Sequence, residues 1–412
     1  MWDLEDLPSG TRNTMVDGVR IKNDNKNNNQ SVEILLVISF LVIGSLIRFA
    51  LFDKVSADTN GFASWLEQIR NVGLLSAFSN YVGDYNITFI PLLYVTGLLP
   101  FSEIVCVKLF ALLLDLLGMV VGFLYLQTLA EENGVLNPQK RYFGELGMAL
   151  IWLSPITIGN AGYQAQLEGL WAFPGFLSLY MFRKKHPAVG MFLLAFAIAM
   201  KPQGVFFLPF VLLYYFRTRS FSIFHFVFFF LAIELLSIPS ILAGNSIFMF
   251  WEHFFDQSGL YPFVYYYYPN IWIWMRDYPY WVFAKVGIGM MMTAFLLVTV
   301  AYVRNCRDRN WTFMMDFELI IWSLMTCSMF LPAMHERYNY PAEVMLPILS
   351  IFDKEYRIPA VVLVLSGFLC NGFSYYGWGH PEFYGISVLN IIVYLCLTLG
   401  IAGTIRGKSE KE

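Results

Sequence analysis

The chain has 412 residues, 57% of them hydrophobic and 14% charged, with a net charge of −3. A soluble globular chain carries about 25% charged residues, so a water-soluble domain is excluded. A nucleic-acid binder is excluded too, because there is no long basic stripe and no zinc-ligand spacing. The charges sit in short clusters between apolar runs of roughly membrane-spanning length, the pattern of an all-α polytopic integral membrane protein.

Residues 1–30 include the low-complexity run NDNKNNNQ and precede any apolar run. They read as a disordered cytoplasmic tail, not as a cleavable signal peptide. Residues 31–405 form one transmembrane domain and 406–412 a second short cytoplasmic tail. The apolar runs predict about twelve spans, at Glu33–Phe52, Ser102–Leu129, Phe143–Asn160, Gly169–Phe182, Pro187–Met200, Gly204–Phe216, Phe221–Leu242, Trp281–Val303, Phe317–Leu331, Asn339–Phe352, Ile358–Leu369 and Ile386–Ile405. Several middle runs are short, which predicts tilted or partly buried helices.

Ile87–Leu99 is ambiguous by hydropathy, and charge bias decides it. Basic residues mark the cytoplasmic ends of spans. They cluster at Arg20/Lys22/Lys26, Lys140/Arg141, Arg183/Lys184/Lys185, Arg217/Arg219, Arg304/Arg307/Arg309, Lys354/Arg357 and Arg406/Lys408/Lys411. All fall on one side only if Ile87–Leu99 lies along the membrane surface. Both termini are then cytoplasmic, and residues 53–99 become a long first outer loop with an interfacial helix. Residues 243–280 become a second long outer loop. The singular polar residues of the chain then converge on the outer face. No internal repeat is evident, which weakens a transporter built from inverted halves.

The candidate chemistry follows from that convergence. Asp58, followed by GFASW, and Asp84 stand in the first outer loop, where a carboxylate held near a hydroxyl can act as a general base. Asp84 also precedes the interfacial helix, where an acid suits the helix dipole. Gln164, Gln166 and Glu168 close a tight turn between two spans, and amides at membrane depth either line a cavity or cap a helix. Lys201, in MKPQG, lacks basic neighbours and needs an anion or a carboxylate partner. His335, Glu336 and Arg337 form a charged knot between two spans, bracketed by Pro332 and Pro341. Arginine beside histidine suits a phosphate clamp. An HExxH zinc site is ruled out because position 339 is Asn. Most rings of YPFVYYYYPNIWIWMRDYPYW fit an interfacial aromatic belt, and Arg276 with Asp277 fits a surface pair. Lys108 and Asp115, seven residues apart on one helix face, read as bundle-interior contacts. Cys106, Cys306, Cys327, Cys370 and Cys396 contain no CxxC pair and read as small core residues. Asn86-Ile-Thr88 matches a glycosylation sequon.

Taken together and in order, these segments resemble the GT-C membrane glycosyltransferases that use polyprenyl-phosphate sugars. The nearest likenesses are bacterial mannosyltransferase-like proteins related to the second mannosyltransferase of GPI-anchor assembly. The glucosyltransferases that finish the dolichol-linked N-glycan precursor look similar too. ADTNGFASW resembles the family's first-loop motif, and DYNITFIPLLY its DYPPLxAY segment at Asp84 and Tyr85. Asn86 and Ile87 replace the proline pair there, and Pro91 arrives later. YQAQLEGLW resembles the HFQYN-type turn without its histidine. MKPQG is similar to the lysine–glutamine turn at Lys201 and Gln203, PNIWIW to the asparagine–tryptophan pattern at Asn270 and Trp272, and HERYNYP to the late HERxxxP signature.

The resemblance implies a GT-C fold and an inverting hexosyltransferase acting on the outer face, with mannose favoured over glucose. Asp58 would be the base; Lys201, His335 and Arg337 would hold the departing lipid phosphate. Tyr85, Asp84, Gln164, Gln166, Gln203, Asn270, Trp272 and Glu336 would contact substrate. Implied partners are a polyprenyl-phosphate sugar donor, a glycan or lipid-linked cell-envelope acceptor and membrane lipids, with no nucleic acid. The sequence indicates no cofactor and leaves a divalent metal open. An outer-facing site means a bacterial plasma membrane, or the ER membrane in a eukaryote. The competing classes are a transporter or flippase of lipid-linked glycans, and an envelope scaffold.

Overall fold

The computed structural model describes residues 34–80, 83–135, 142–257, 260–305, 311–375 and 383–406, together with Val32. The expected tail at 1–30 and the basic residues Lys140, Arg141, Arg307, Arg309, Lys408 and Lys411 lie outside them, as does Cys306. Among the described residues every regular element is helical. Six helices among the described residues are long and apolar enough to cross a membrane: α5 (Glu103–Glu132), α11 (His225–Leu242), α13 (Tyr280–Asn305), α14 (Phe313–Phe330), α16 (Arg357–Tyr375, with the preceding turn) and α17 (Tyr384–Arg406). Helices also underlie the other expected spans, but they are shorter: α1 (Ile34–Ala50), α6 (Phe143–Trp152), α8 (Gly169–Arg183), α9 (Pro187–Met200), α10 (Leu208–Thr218) and α15 (Tyr340–Leu349). The short helices α6, α8, α9 and α15 sit largely in the interior. The apolar faces of α1, α11, α13 and α17 point outward, the arrangement of a chain whose outer helices meet lipid rather than water.

Burial sorts the long helices. The apolar window of α14 is 83% buried and that of α13 only 11%, so α14 is a central post and α13 a peripheral wall. At the N-terminal end of α14 the buried Asp316 pairs with Arg217, with Arg183 at 3.3 Å and with the Trp311 indole N–H at 2.8 Å. Arg183 also reaches Glu132 at 2.7 Å. Two of the basic clusters thus gather at one end of the bundle. The HER turn leaves the other end of α14, about 27 Å away at 1.5 Å per residue.

The polar stretch after α1 is largely helical. It folds into α2 (Ala57–Val72) and α3 (Leu74–Asn80). Ser56 caps α2 in a capping box with Thr59, and Gly73, at φ 75°, ends it. Phe62, Leu66 and Ile69 recur at helical spacing and are buried. A 3₁₀ turn (Ile87–Phe89) then leads into α4 (Ile90–Gly97). At 1.5 Å per residue α4 measures about 12 Å, too short to cross a hydrocarbon core of about 30 Å. Arg70 staples its far end by donating to the carbonyls of Gly97, Leu99 and Phe101 at 2.8–3.0 Å and pairing with Glu103 at 2.5 Å. Asn86 is fully buried and caps the 3₁₀ turn, so the folded chain leaves no room for a glycan on the sequon.

Lys108 and Asp115 are interior, as their spacing suggested. Lys108 donates to the carbonyls of Leu51, Lys54 and Gly162. Asp115 pairs at 2.6 Å with Arg48, whose guanidinium stacks on Trp152 and donates to its carbonyl at 2.7 Å. These bonds fix the end of α1 against the segment after α6, where α7 (Pro155–Thr157) runs into a π-helical turn, Ile158–Tyr163. Cys106, Cys327, Cys370 and Cys396 are free thiols.

Candidate functional site

The wider π-turn carries the chain back under α2. Gln164 N–H bonds to the Gly159 carbonyl and Gln166 N–H to that of Asn160. The Gln164 carbonyl in turn accepts from the Thr59 hydroxyl at 2.8 Å and the Ser56 hydroxyl at 3.3 Å. Both hydroxyls flank Asp58, so the start of α2 is pinned to this turn. The Gln166 amide then donates directly to the Asp58 carboxylate. Ala165, between the two glutamines, has φ 52°, and two further left-handed non-glycine residues, Tyr267 and Ala333, line the cavity beside this turn. Backbone held there costs about 1–3 kcal/mol per residue and gathers where geometry matters more than stability.

That cavity has a volume of about 890 Å³. Its charged and amide groups come from four separated segments: Asp58 from α2, Gln166 from the turn before α8, Lys201 and Gln203 from the turn after α9, and His335, Glu336 and Arg337 from the turn after α14. Asp84 and Tyr85 close one side. Asp84 is exposed at the rim, where the Tyr261 hydroxyl donates to its carboxylate at 3.0 Å and the Gln257 amide to its carbonyl. The first and second expected loops are thereby tied together. Apolar side chains complete the lining, among them Val205 and Phe206 beside Gln203 and Ala284 and Ile288 of α13.

Arg337 lies amid carboxylates. It pairs with Glu336 at 2.7 Å, with Glu168 at 3.2 Å through Nε and with Asp58 at 3.8 Å. Lys201 pairs with Glu168 as well, and its ammonium lies over the rings of Tyr85 at 5.1 Å and Tyr338 at 5.5 Å. Burial pulls the Lys201 pKa down, with Arg337 adding to the effect, while Glu168 and Asp58 oppose it. His335 is buried with its ring packed against Tyr266 and Tyr261. Burial, then Arg337 and Lys201, push its pKa down to about 2, so the imidazole is neutral at any working pH. It can donate one hydrogen bond and accept another but brings no charge.

Three sequence-selected residues do not reach the cavity. Asn270 is buried at the C-terminal end of α14, donating to the carbonyls of Ser328 and Leu331 at 3.0 and 3.1 Å, and the Trp272 indole donates to that of Phe330 at 2.7 Å. They satisfy carbonyls that a helix end leaves open, and so hold the base of the HER turn. Gln164 acts through its main-chain carbonyl; its side-chain amide is buried away from the cavity. Conversely, Glu168 stands out in the sequence only as part of a polar turn, and its contact with both cations cannot be read from spacing. Tyr261 and Tyr266 are hidden there among belt aromatics, and Tyr338 within HERYNYP.

Among the described residues no group of three or more His, Cys, Asp or Glu is placed to hold a metal ion. A cavity-lining carboxylate, Asp58, near two cations that are themselves held by Glu168 and Glu336, in a lining that is part polar and part apolar, can accept a proton from a hydroxyl and contact an anionic group with an apolar tail. No family model matches the chain, and no curated protein matches it.

Proposed function

We propose that the chain is a GT-C type inverting glycosyltransferase with about twelve spans. It moves a hexose, mannose before glucose, from a polyprenyl-phosphate sugar to a hydroxyl of a glycan or cell-envelope acceptor at the outer face. The observation that carries this reading is the joining of Asp58, Lys201 and Arg337, from distant turns, in one cavity whose lining also holds apolar side chains. A phosphate with a long hydrocarbon tail suits such a mixed lining. Asp58 takes the proton of the acceptor hydroxyl, the acceptor oxygen bonds to the anomeric carbon, and the bond from that carbon to the phosphate oxygen breaks. The electron pair leaves on the phosphate, where Lys201 and Arg337 stabilise the charge and neutral His335 donates one hydrogen bond. Acceptor oxygen, anomeric carbon and leaving oxygen in line need more room than the 3.8 Å between Asp58 and Arg337. Substrate entry therefore opens that pair.

The test is transfer by the purified protein from radiolabelled polyprenyl-phosphate mannose and glucose, with the anomeric configuration of the product read by NMR. Transfer with inversion is expected. Retention overturns the mechanism, and no transfer from either donor overturns the assignment of these hexoses.

A further inference from the structure

Glu168 connects the two cations of the cavity. Its side chain has no exposed surface, and it sits at the N-terminal cap position of α8. One carboxylate oxygen accepts from the Trp171 indole N–H at 2.5 Å; the other pairs with both Lys201 and Arg337 Nε. Trp171, itself fully buried, leaves the carboxylate little freedom to turn. Two cations from turns on different helices therefore share one fixed anion that does not itself line the cavity.

We propose that Glu168 is the positioning residue of the anion site: it keeps the buried Lys201 ammonium charged and sets its separation from the Arg337 guanidinium. This rests on the reading above, that the cavity takes a phosphate. A buried lysine readily loses its proton when no carboxylate balances it. Lys201 is faced by Asp58 from α2, Tyr85 from the turn before α4, Glu168 from α8, and His335, Arg337 and Tyr338 from the turn after α14. Among these, Glu168 makes the direct contact and opposes burial most strongly. Arg337 works in the other direction, so removing the Glu168 charge leaves two neighbouring cations without the anion between them. Arg337 keeps its charge at any working pH. Lys201 is the member that discharges.

The test uses the full-length protein in detergent and methyl decyl phosphate, a phosphodiester whose single charge does not titrate between pH 6 and 10. Its affinity is read by tryptophan fluorescence. In the wild type, affinity falls as rising pH takes the proton from Lys201. In Glu168→Gln that fall begins at least one pH unit lower, with binding at pH 8 weakened by up to roughly tenfold for every pH unit the midpoint drops. Glu168→Asp keeps the charge and returns the fall toward the wild-type position. Lys201→Arg removes the pH dependence altogether. If the fall has the same midpoint in wild type and Glu168→Gln, the inference is overturned while the phosphate reading stands. If the wild type binds no phosphodiester, the phosphate reading itself fails and takes the inference with it. Should Glu168→Gln not fold, the wild-type and Lys201→Arg profiles still decide, because identical pH dependence in those two removes Lys201 as the titrating group.

Discussion

The Arg48–Asp115 pair offers a quantitative test of how the bundle holds its site. The side chains are 2% and 3% exposed, and the guanidinium donates to Asp115 through Nη2 at 2.6 Å and Nε at 3.1 Å. It also donates to the Trp152 carbonyl at 2.7 Å and to the Thr157 hydroxyl at 3.2 Å. Asp115→Asn leaves Arg48 charged and buried with neutral partners only. Breaking a buried pair on one side costs about 3–5 kcal/mol. At about 2–4 °C per kcal/mol for a large domain, the midpoint of thermal unfolding in detergent falls by at least about 6 °C. Replacing both partners, as Arg48→Met with Asp115→Leu, removes both desolvation penalties and is expected to cost less than either single change. The site should respond as well. Arg48 braces the turn leading to Gln164, whose carbonyl anchors Ser56 and Thr59 beside Asp58. A midpoint change under about 2 °C for Asp115→Asn, or a double variant worse than both singles, refutes the view that this ion pair is a locked joint.

Three further outcomes follow from the same geometry. A Cβ on Gly204 would lie 2.5–2.6 Å from the main chain of Ala197 and Ile198, so Gly204→Ala should cost about 1–3 kcal/mol by overpacking and weaken phosphodiester binding by displacing Lys201 and Gln203; unchanged binding contradicts this. Because the folded protein keeps His335 neutral down to pH about 2, only the unfolded chain gains its proton as pH falls below about 6.5. Stability is then lost on acidification, at about 1.4 kcal/mol per pH unit from that residue, and His335→Asn should lose less between pH 7.5 and 5 than the wild type does. Arg70→Met removes the bonds to Gly97, Leu99 and Phe101 and should speed hydrogen exchange across residues 87–101 while leaving α14 protected; uniform exchange rates contradict the staple.

Much of the site is legible in the sequence because its residues break a rule in the chain itself. A lysine in MKPQG or a charged triplet in HERY between apolar runs has no solvated loop to occupy, so the sequence marks it as a contact waiting for a partner. Charge bias puts those turns on one side, and they meet in one cavity. The partners are not legible. Glu168 follows two glutamines of similar spacing, and nothing local says that it, rather than Gln164, reaches across to two other turns. Asn270 and Trp272 stand out for the same reason as the cavity residues, yet they satisfy the carbonyls ending α14. A polar side chain that caps a helix and one that meets a ligand look alike in sequence. The helices after Asp53 are hidden by their polar outer faces, although Phe62, Leu66 and Ile69 carry helical spacing.

The most direct test of the account is the rate of hexose transfer from polyprenyl-phosphate mannose by Asp58→Asn at saturating donor. A positioned general base contributes about 10²–10⁴-fold, so transfer should fall by that factor while donor KM changes by no more than a few-fold. Transfer at the wild-type rate would contradict the assignment of Asp58 as the base.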